Sequence, residues 1–217
     1  MANFLSLIKV CVLISVTATQ VGFSLGRDVI FAAHYSGIYI SDIDHSNPSD
    51  LNLTKIQIEP MVEPGQLAYN PSTSTIYFTN RDEMINKYSL KNKSLETFIS
   101  RETDTRYEAI AIDVTKQRLY FGSLNSDVYQ IEVINLDGTD RITLIPNIAG
   151  LVRGIQIDAV NGYLYWSTSA NNNIPAAISR VRLDNLVSKD ILINTSLSVT
   201  RLELDVEGKL MRNINNI

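Results

Sequence analysis

The chain has 217 residues, 45% of them hydrophobic and 19% charged, with a formal net charge of −4. That is enough apolar material for a packed core and too little charge for a disordered tail, and the lack of a Lys/Arg cluster argues against a nucleic-acid surface. One cysteine, Cys11, excludes an intrachain disulfide or a cysteine zinc site, and two histidines, His34 and His45, leave little for a metal cluster.

The first segment reads as a leader. Met1 to Lys9 carries one positive charge, Val10 to Val16 is a short apolar run, and the small residues Thr17 and Ala18 follow. The run is far below the roughly 18–20 residues that a membrane span needs. Residues 1–24 are therefore expected to be a secretory signal, cut after Ala18 or near Ser24, rather than a buried strand. Cleavage would remove Cys11 and leave a thiol-free chain suited to an oxidising compartment. Three triplets, Asn52-Leu53-Thr54, Asn92-Lys93-Ser94 and Asn194-Thr195-Ser196, fit the N-glycosylation pattern and agree with secretion; Asn70-Pro71-Ser72 is blocked by its proline. The expected location is extracellular, or the plasma membrane if a full-length protein carries a downstream span.

From residue 28 onward short runs rich in Ile, Val, Tyr, Phe and Thr alternate with Asn, Asp, Ser and Gly, the pattern of an all-β chain. The runs repeat. Leu67-Ala68-Tyr69-Asn70, Ile110-Ala111-Ile112-Asp113 and Ile155-Gln156-Ile157-Asp158 are each followed, seven residues after the last position, by a tyrosine: Tyr77, Tyr120 and Tyr165. Those tyrosines stand 43 and 45 residues apart. A third strand follows in each unit (Ile85 to Leu90, Val128 to Leu136, Ile178 to Leu183), then a fourth (Leu95 to Ile99, Ile142 to Ile145, Ile191 to Ile193). Asp137-Gly138 is expected to make a tight hairpin turn. Four strands in about 45 residues is the size of one propeller blade. The repeated Asn70, Asp113, Asp158 and Asp205 end a first strand and are expected to satisfy backbone donors in the turn rather than to catalyse. Tyr77, Tyr120, Tyr165 and Trp166 supply rings for the wedge between neighbouring blades.

Gly154-Ile155-Gln156-Ile157-Asp158, then Leu164-Tyr165-Trp166-Ser167-Thr168, with Leu136-Asp137-Gly138-Thr139-Asp140-Arg141, resembles the LDL-receptor class B (YWTD) repeat, which builds six-bladed β-propellers. Phe78 and Phe121 stand for the motif's Trp, and Asn80, Ser123 and Thr168 for its final Asp. The resemblance implies a partial propeller over 28–217: part of blade 1 at 28–60, blade 2 at 64–100, blade 3 at 106–146, blade 4 at 152–194 and the start of blade 5 at 199–217. The layout looks most like the first propeller of the Wnt co-receptor branch of the LDL-receptor-related proteins. At this spacing residues 28–217 hold about four blades of an expected six. The expectation is an incomplete ring from a truncated product or incomplete gene model, with unpaired sheet edges.

For function the resemblance implies no chemistry and no cofactor, but a rigid module that binds an extracellular protein, a Wnt-pathway or a matrix ligand. Loops entering the first strands nominate Glu63, Tyr107, Glu108, Arg153 and Arg201, with Tyr107 and Arg153 as the stronger anchors and the glutamates as selectivity elements. A basement-membrane-type propeller is one alternative. A metal-dependent lactonase or esterase is another, and it would need acidic and amide side chains converging on a cation.

Overall fold

A computed structural model describes residues 14–16, 29–42, 52–60, 63–170, 174–196, 199, 202–204 and 211–213. Every regular element among them is a strand, as the runs of β-branched and aromatic residues dictate. The chain divides into two compact units, residues 1–100 and 101–217.

In the first unit β1 (Ile14–Val16), β2 (Val29–His34), β3 (Gly37–Asp42) and β4 (Thr54–Lys55) form an antiparallel sheet in that order. Strand β1 falls inside the segment read as a leader, pairing from Ile14↔Phe31 to Val16↔Val29; a chain cut after Ala18 would lack it. A second sheet runs β5 (Pro64–Asn70), β6 (Thr75–Asn80), β7 (Ile85–Ser89), β8 (Ser94–Ile99). Phe31, Ala33 and Ile38 of the first sheet pack with Leu67, Ile76 and Phe78 of the second.

The second unit repeats the plan. Strands β9 (Thr105–Asp113), β10 (Arg118–Asn125), β11 (Val128–Asn135) and β12 (Ile142–Ile148) form one sheet, and β13 (Val152–Asp158), β14 (Tyr163–Thr168), β15 (Ala176–Arg182) and β16 (Asn185–Thr195) the next. A short pair, β17 (Leu202–Leu204) with β18 (Met211–Asn213), follows. The two large sheets share one core, in which Ala109, Tyr120 and Ile131 meet Ile155, Leu164 and Trp166. Each fully buried large side chain is worth about 1.5–3 kcal/mol. On the opposite face of the β13–β16 sheet, Tyr165 and Ile178 pack with Val199 and Leu202.

The three repeat tyrosines hold the same register in their sheets. The cross-strand rows are Ala68–Tyr77–Lys87–Glu96, Ala111–Tyr120–Val133–Ile142 and Gln156–Tyr165–Arg180–Asp190. Lys87 Nζ lies 3.0 Å from Glu96 Oε2, and Arg180 Nε donates to Asp190 Oδ2 at 3.0 Å. The middle row is apolar instead.

Two local features sharpen the sequence reading. The Asp137-Gly138 connection is a tight hairpin turn with three loop residues, Leu136 to Gly138. Gly138 N donates to Asn135 O at 2.9 Å, Asn135 N donates to Thr139 O at 3.0 Å, and Gly138 takes the left-handed conformation (φ +91°) that closes such a loop. Strand β16 is eleven residues long, well beyond the apolar triplet Ile191–Ile193, because its polar residues keep pairing with β15 as far as Asn185↔Arg182.

The close approach of β10 to β13 depends on Gly122. A Cβ there would stand 2.9 Å from Val152 Cβ, and the ladder between β9 and β10 shifts register between Phe121 and Ser123. Gly122→Ala is expected to destabilise the chain by about 1–3 kcal/mol through overpacking, read as a lowered denaturant midpoint. An unchanged midpoint would show that the sheets are not in close contact there.

Candidate partner-binding face

The repeat asparagine and aspartates are engaged in their own turns. Asn70 Oδ1 accepts from Ser72 N at 3.0 Å. Asp113 Oδ1 accepts from Thr115 N at 2.9 Å, Thr115 Oγ1 at 2.6 Å and Lys116 N at 3.0 Å. Asp158 accepts from Asn161 N at 2.9 Å through Oδ1 and from Asn161 Nδ2 at 2.8 Å through Oδ2. Asp205 lies outside the described residues. Tyr77, Tyr120, Tyr165 and Trp166 are all buried.

The residues replacing the motif's final Asp make bonds inside their own sheets. Asn80 Oδ1 accepts from Met84 N at 3.0 Å, Thr168 Oγ1 accepts from Ala177 N at 3.2 Å, and Ser123 Oγ donates to Glu132 Oε1 at 2.6 Å.

Of the five nominated face residues, two come together. Glu108 on β9 and Arg153 on β13 are both partly exposed, with Arg153 Nη1 3.7 Å from Glu108 Oε2, so the pair spans neighbouring sheets at one end. Burial raises the Glu108 pKa above its ordinary value, against the pull of Arg153 and Arg106. Glu63 belongs to the first unit, where Arg81 Nη1 donates to its Oε2 at 3.0 Å in an exposed pair of little energetic weight. Arg201 lies outside the described residues.

Tyr107 is a correction to the surface assignment: it is 5% exposed. Strand β9 starts at Thr105, so Arg106, Tyr107 and Glu108 are strand residues rather than loop residues. Alternation turns Tyr107 inward, where its ring meets Phe121 edge-on at 5.6 Å between centroids. Burial pushes its hydroxyl up to about 12.

The sequence reading also passed over Arg141, which organises the polar interior here. Arg141 Nε donates to Glu132 Oε2 at 2.7 Å, its Nη1 and Nη2 reach the Glu102 carboxylate, and its Nη2 lies 3.4 Å from the Tyr107 hydroxyl. The guanidinium also stands over the Tyr107 and Phe121 rings, at 5.7 and 5.5 Å from their centroids. Burial works against its charge, but the bonds to Glu132 and Glu102 outweigh this and raise its pKa. The hydrogen bond from Arg141 lowers the Glu102 pKa. The available signal was the pairing of Glu132 with an arginine nine residues later, across a hairpin.

Among the described residues no group of three or more His, Cys, Asp or Glu is placed to hold a metal ion, and no helix is long and apolar enough to cross a membrane. Asn52, Asn92 and Asn194 are exposed.

A crystal structure of a nidogen/laminin complex contains a chain that superposes with a TM-score of 0.66 at 19% identity, over 80% of this chain and 63% of that one. The fold is that of the YWTD-type β-propeller. The four-stranded sheets are its blades. A prolyl oligopeptidase B from Galerina marginata shares the fold more distantly, with a TM-score of 0.55 and 13% identity over 28% of that chain. In sequence the propeller is similar to the protein cueball of Drosophila erecta, 26% identical over 144 residues, and of Drosophila grimshawi, 29% identical over 160. The first match covers 59% of this chain and 22% of the relative, the second 68% and 26%, so the propeller spans about a quarter of these relatives' length. No family model matches it.

The Arg141 cluster makes two predictions. Glu132 has a side chain only 7% exposed and Arg141 26%, so Arg141→Met strands a buried carboxylate and is expected to cost about 3–5 kcal/mol, measured by chemical denaturation. Adding Glu132→Gln should recover part of the loss. Glu102 has a lowered folded pKa, so its contribution is present above the ordinary carboxylate range and is lost as pH falls through the folded value. Glu102→Gln should therefore flatten the fall in unfolding midpoint between about pH 6 and about pH 3.

Proposed function

We propose that the chain is an extracellular protein-binding propeller module that engages its partner at the end of the blades where Glu108 and Arg153 meet. The observation that carries this reading is the Glu108–Arg153 pair itself. It joins two neighbouring blades, leaves both charges partly exposed, and sits on rigid strands rather than a loose loop. Such preformed charges select a partner and steer its approach at little ordering cost. Glu63, just before β5, and Arg201, just before β17, stand near the starts of the first strands of their own repeats and extend the candidate set.

A matrix-type protein ligand is favoured, since the nidogen chain that shares this fold was solved in complex with laminin. A Wnt-pathway ligand, implied by the resemblance to the Wnt co-receptor branch, is the second outcome to be tested. No catalytic step is assigned. The acidic and amide groups that a lactonase-like propeller would direct at a cation are, at Asn70, Asp113 and Asp158, engaged in turn hydrogen bonds.

The test is binding of the secreted chain to immobilised laminin-type proteins and, in parallel, to Wnt antagonists. Arg153→Glu and Glu108→Arg should each weaken the recognised partner by at least about tenfold, and the exchanged pair should regain part of the loss. Because burial raises the Glu108 pKa, binding that uses its charge should weaken on mild acidification, before ordinary carboxylates titrate. Full affinity in both single variants would move the binding face elsewhere.

A further inference from the structure

Strand β16 closes the sheet order β13-β14-β15-β16 and is paired only with β15 among the described residues. Its other edge therefore offers a row of backbone groups on which another strand could assemble. The two halves of this edge differ. The first half carries Lys189 and Asp190, charges of the kind that discourage edge-to-edge pairing, with Asp190 held by Arg180. The second half is Ile191-Leu192-Ile193, with Ile191 63% and Ile193 48% exposed. Ile193 stands opposite Ile178 and Ile191 opposite Ser179, with a register shift between them. The bulge makes Leu192 the extra residue, so apolar groups occupy both faces of the strand at that point. An apolar, uncharged, proline-free run on an exposed sheet edge is an aggregation hazard.

The residue that follows this run is Asn194, exposed and opposite Ala177, and it opens the triplet Asn194-Thr195-Ser196. We propose that Asn194 carries an N-linked oligosaccharide whose hydrated bulk covers the apolar half of the β16 edge. The donor class is a polyprenyl-diphosphate-linked oligosaccharide. The Asn194 amide nitrogen bonds to C1 of the first sugar as the C1–O bond to the diphosphate breaks, the amide gives up one proton, and the lipid diphosphate leaves. The sugar then does for Ile191–Ile193 what Lys189 and Asp190 do for the first half. The other two triplets have no such neighbourhood: Asn92 lies in the β7–β8 turn between Lys91 and Lys93, and Asn52 precedes β4. They take sugar without a shielding role.

The proposal rests on the extracellular reading above, and the experiment separates the two. The full chain is expressed in insect cells, and Asn92 and Asn194 occupancy is read by mass spectrometry after enzymatic deglycosylation, which converts an occupied Asn to Asp. Secreted monomer is then compared for Ser196→Ala, which removes the Asn194 signal from outside the strand, for Ser196→Thr, which keeps it, and for Asn92→Gln. The expected result is sugar at both sites, a several-fold loss of secreted monomer to aggregate in Ser196→Ala alone, and recovery when Ile191→Thr and Ile193→Thr are added. A chain retained in the cell without sugar at Asn92 or Asn194 overturns the extracellular reading together with this one. Sugar at Asn92 with Asn194 bare overturns only the site. Sugar at Asn194 with Ser196→Ala secreted as wild-type monomer overturns its shielding role.

Discussion

A four-stranded sheet has two faces and can hide neither of them alone, and the rest of this structure answers that constraint. Each sheet of the second unit lends one face to a shared core, and the distance between sheets sets which residues can occupy it. Where β10 approaches β13, only a glycine fits opposite Val152, and alanines at 109 and 111 line the same core. Tyr120 and Trp166 fill the same shared core where there is room for rings. The short first-strand side chains and the large second-strand rings are therefore one adaptation, a taper expressed in side-chain volume.

The polar groups follow the same plan. Asn70, Asp113 and Asp158 close their turns with their own oxygens, which frees the sheet faces for apolar packing. The charged groups that do enter the interior come with partners. Glu132 is reached by Arg141, Ser123 and Gln130, so a carboxylate that would be costly alone is fully bonded. The same arginine spans to Glu102, ahead of β9, and ties the entrance of the first strand to the start of the fourth.

The fold was legible because its signal is repetition. Three tyrosines at matched offsets after Asn70, Asp113 and Asp158 announce the unit, and all three take the same register in their sheets. The candidate face was less legible, because it depends on single-residue parity. Reading Arg106-Tyr107-Glu108 as a loop makes Tyr107 available to a partner; extending β9 back to Thr105 turns it inward and leaves Glu108 partly exposed. The Arg141 cluster was missed for another reason: Arg141 and Glu102 both lie just outside strands, where no periodic pattern fixes a side chain, and Glu102 stands 39 residues from the arginine it meets. The meeting of Glu108 with Arg153 likewise exists only once two sheets stack.

The three cross-strand rows look interchangeable in outline and are not. The first carries Lys87 against Glu96, the third Arg180 against Asp190, and the middle one is apolar, its sheet placing its charges instead at Glu132 and Arg141. Near-identical repeats are prone to exchange strands during folding. If β16 took the place of β12, it would arrive without the arginine that precedes β12, leaving Glu132 desolvated and uncompensated. The uneven distribution of charge thus marks out the β9–β12 sheet, whose Glu132 is matched only by the fourth strand that Arg141 precedes.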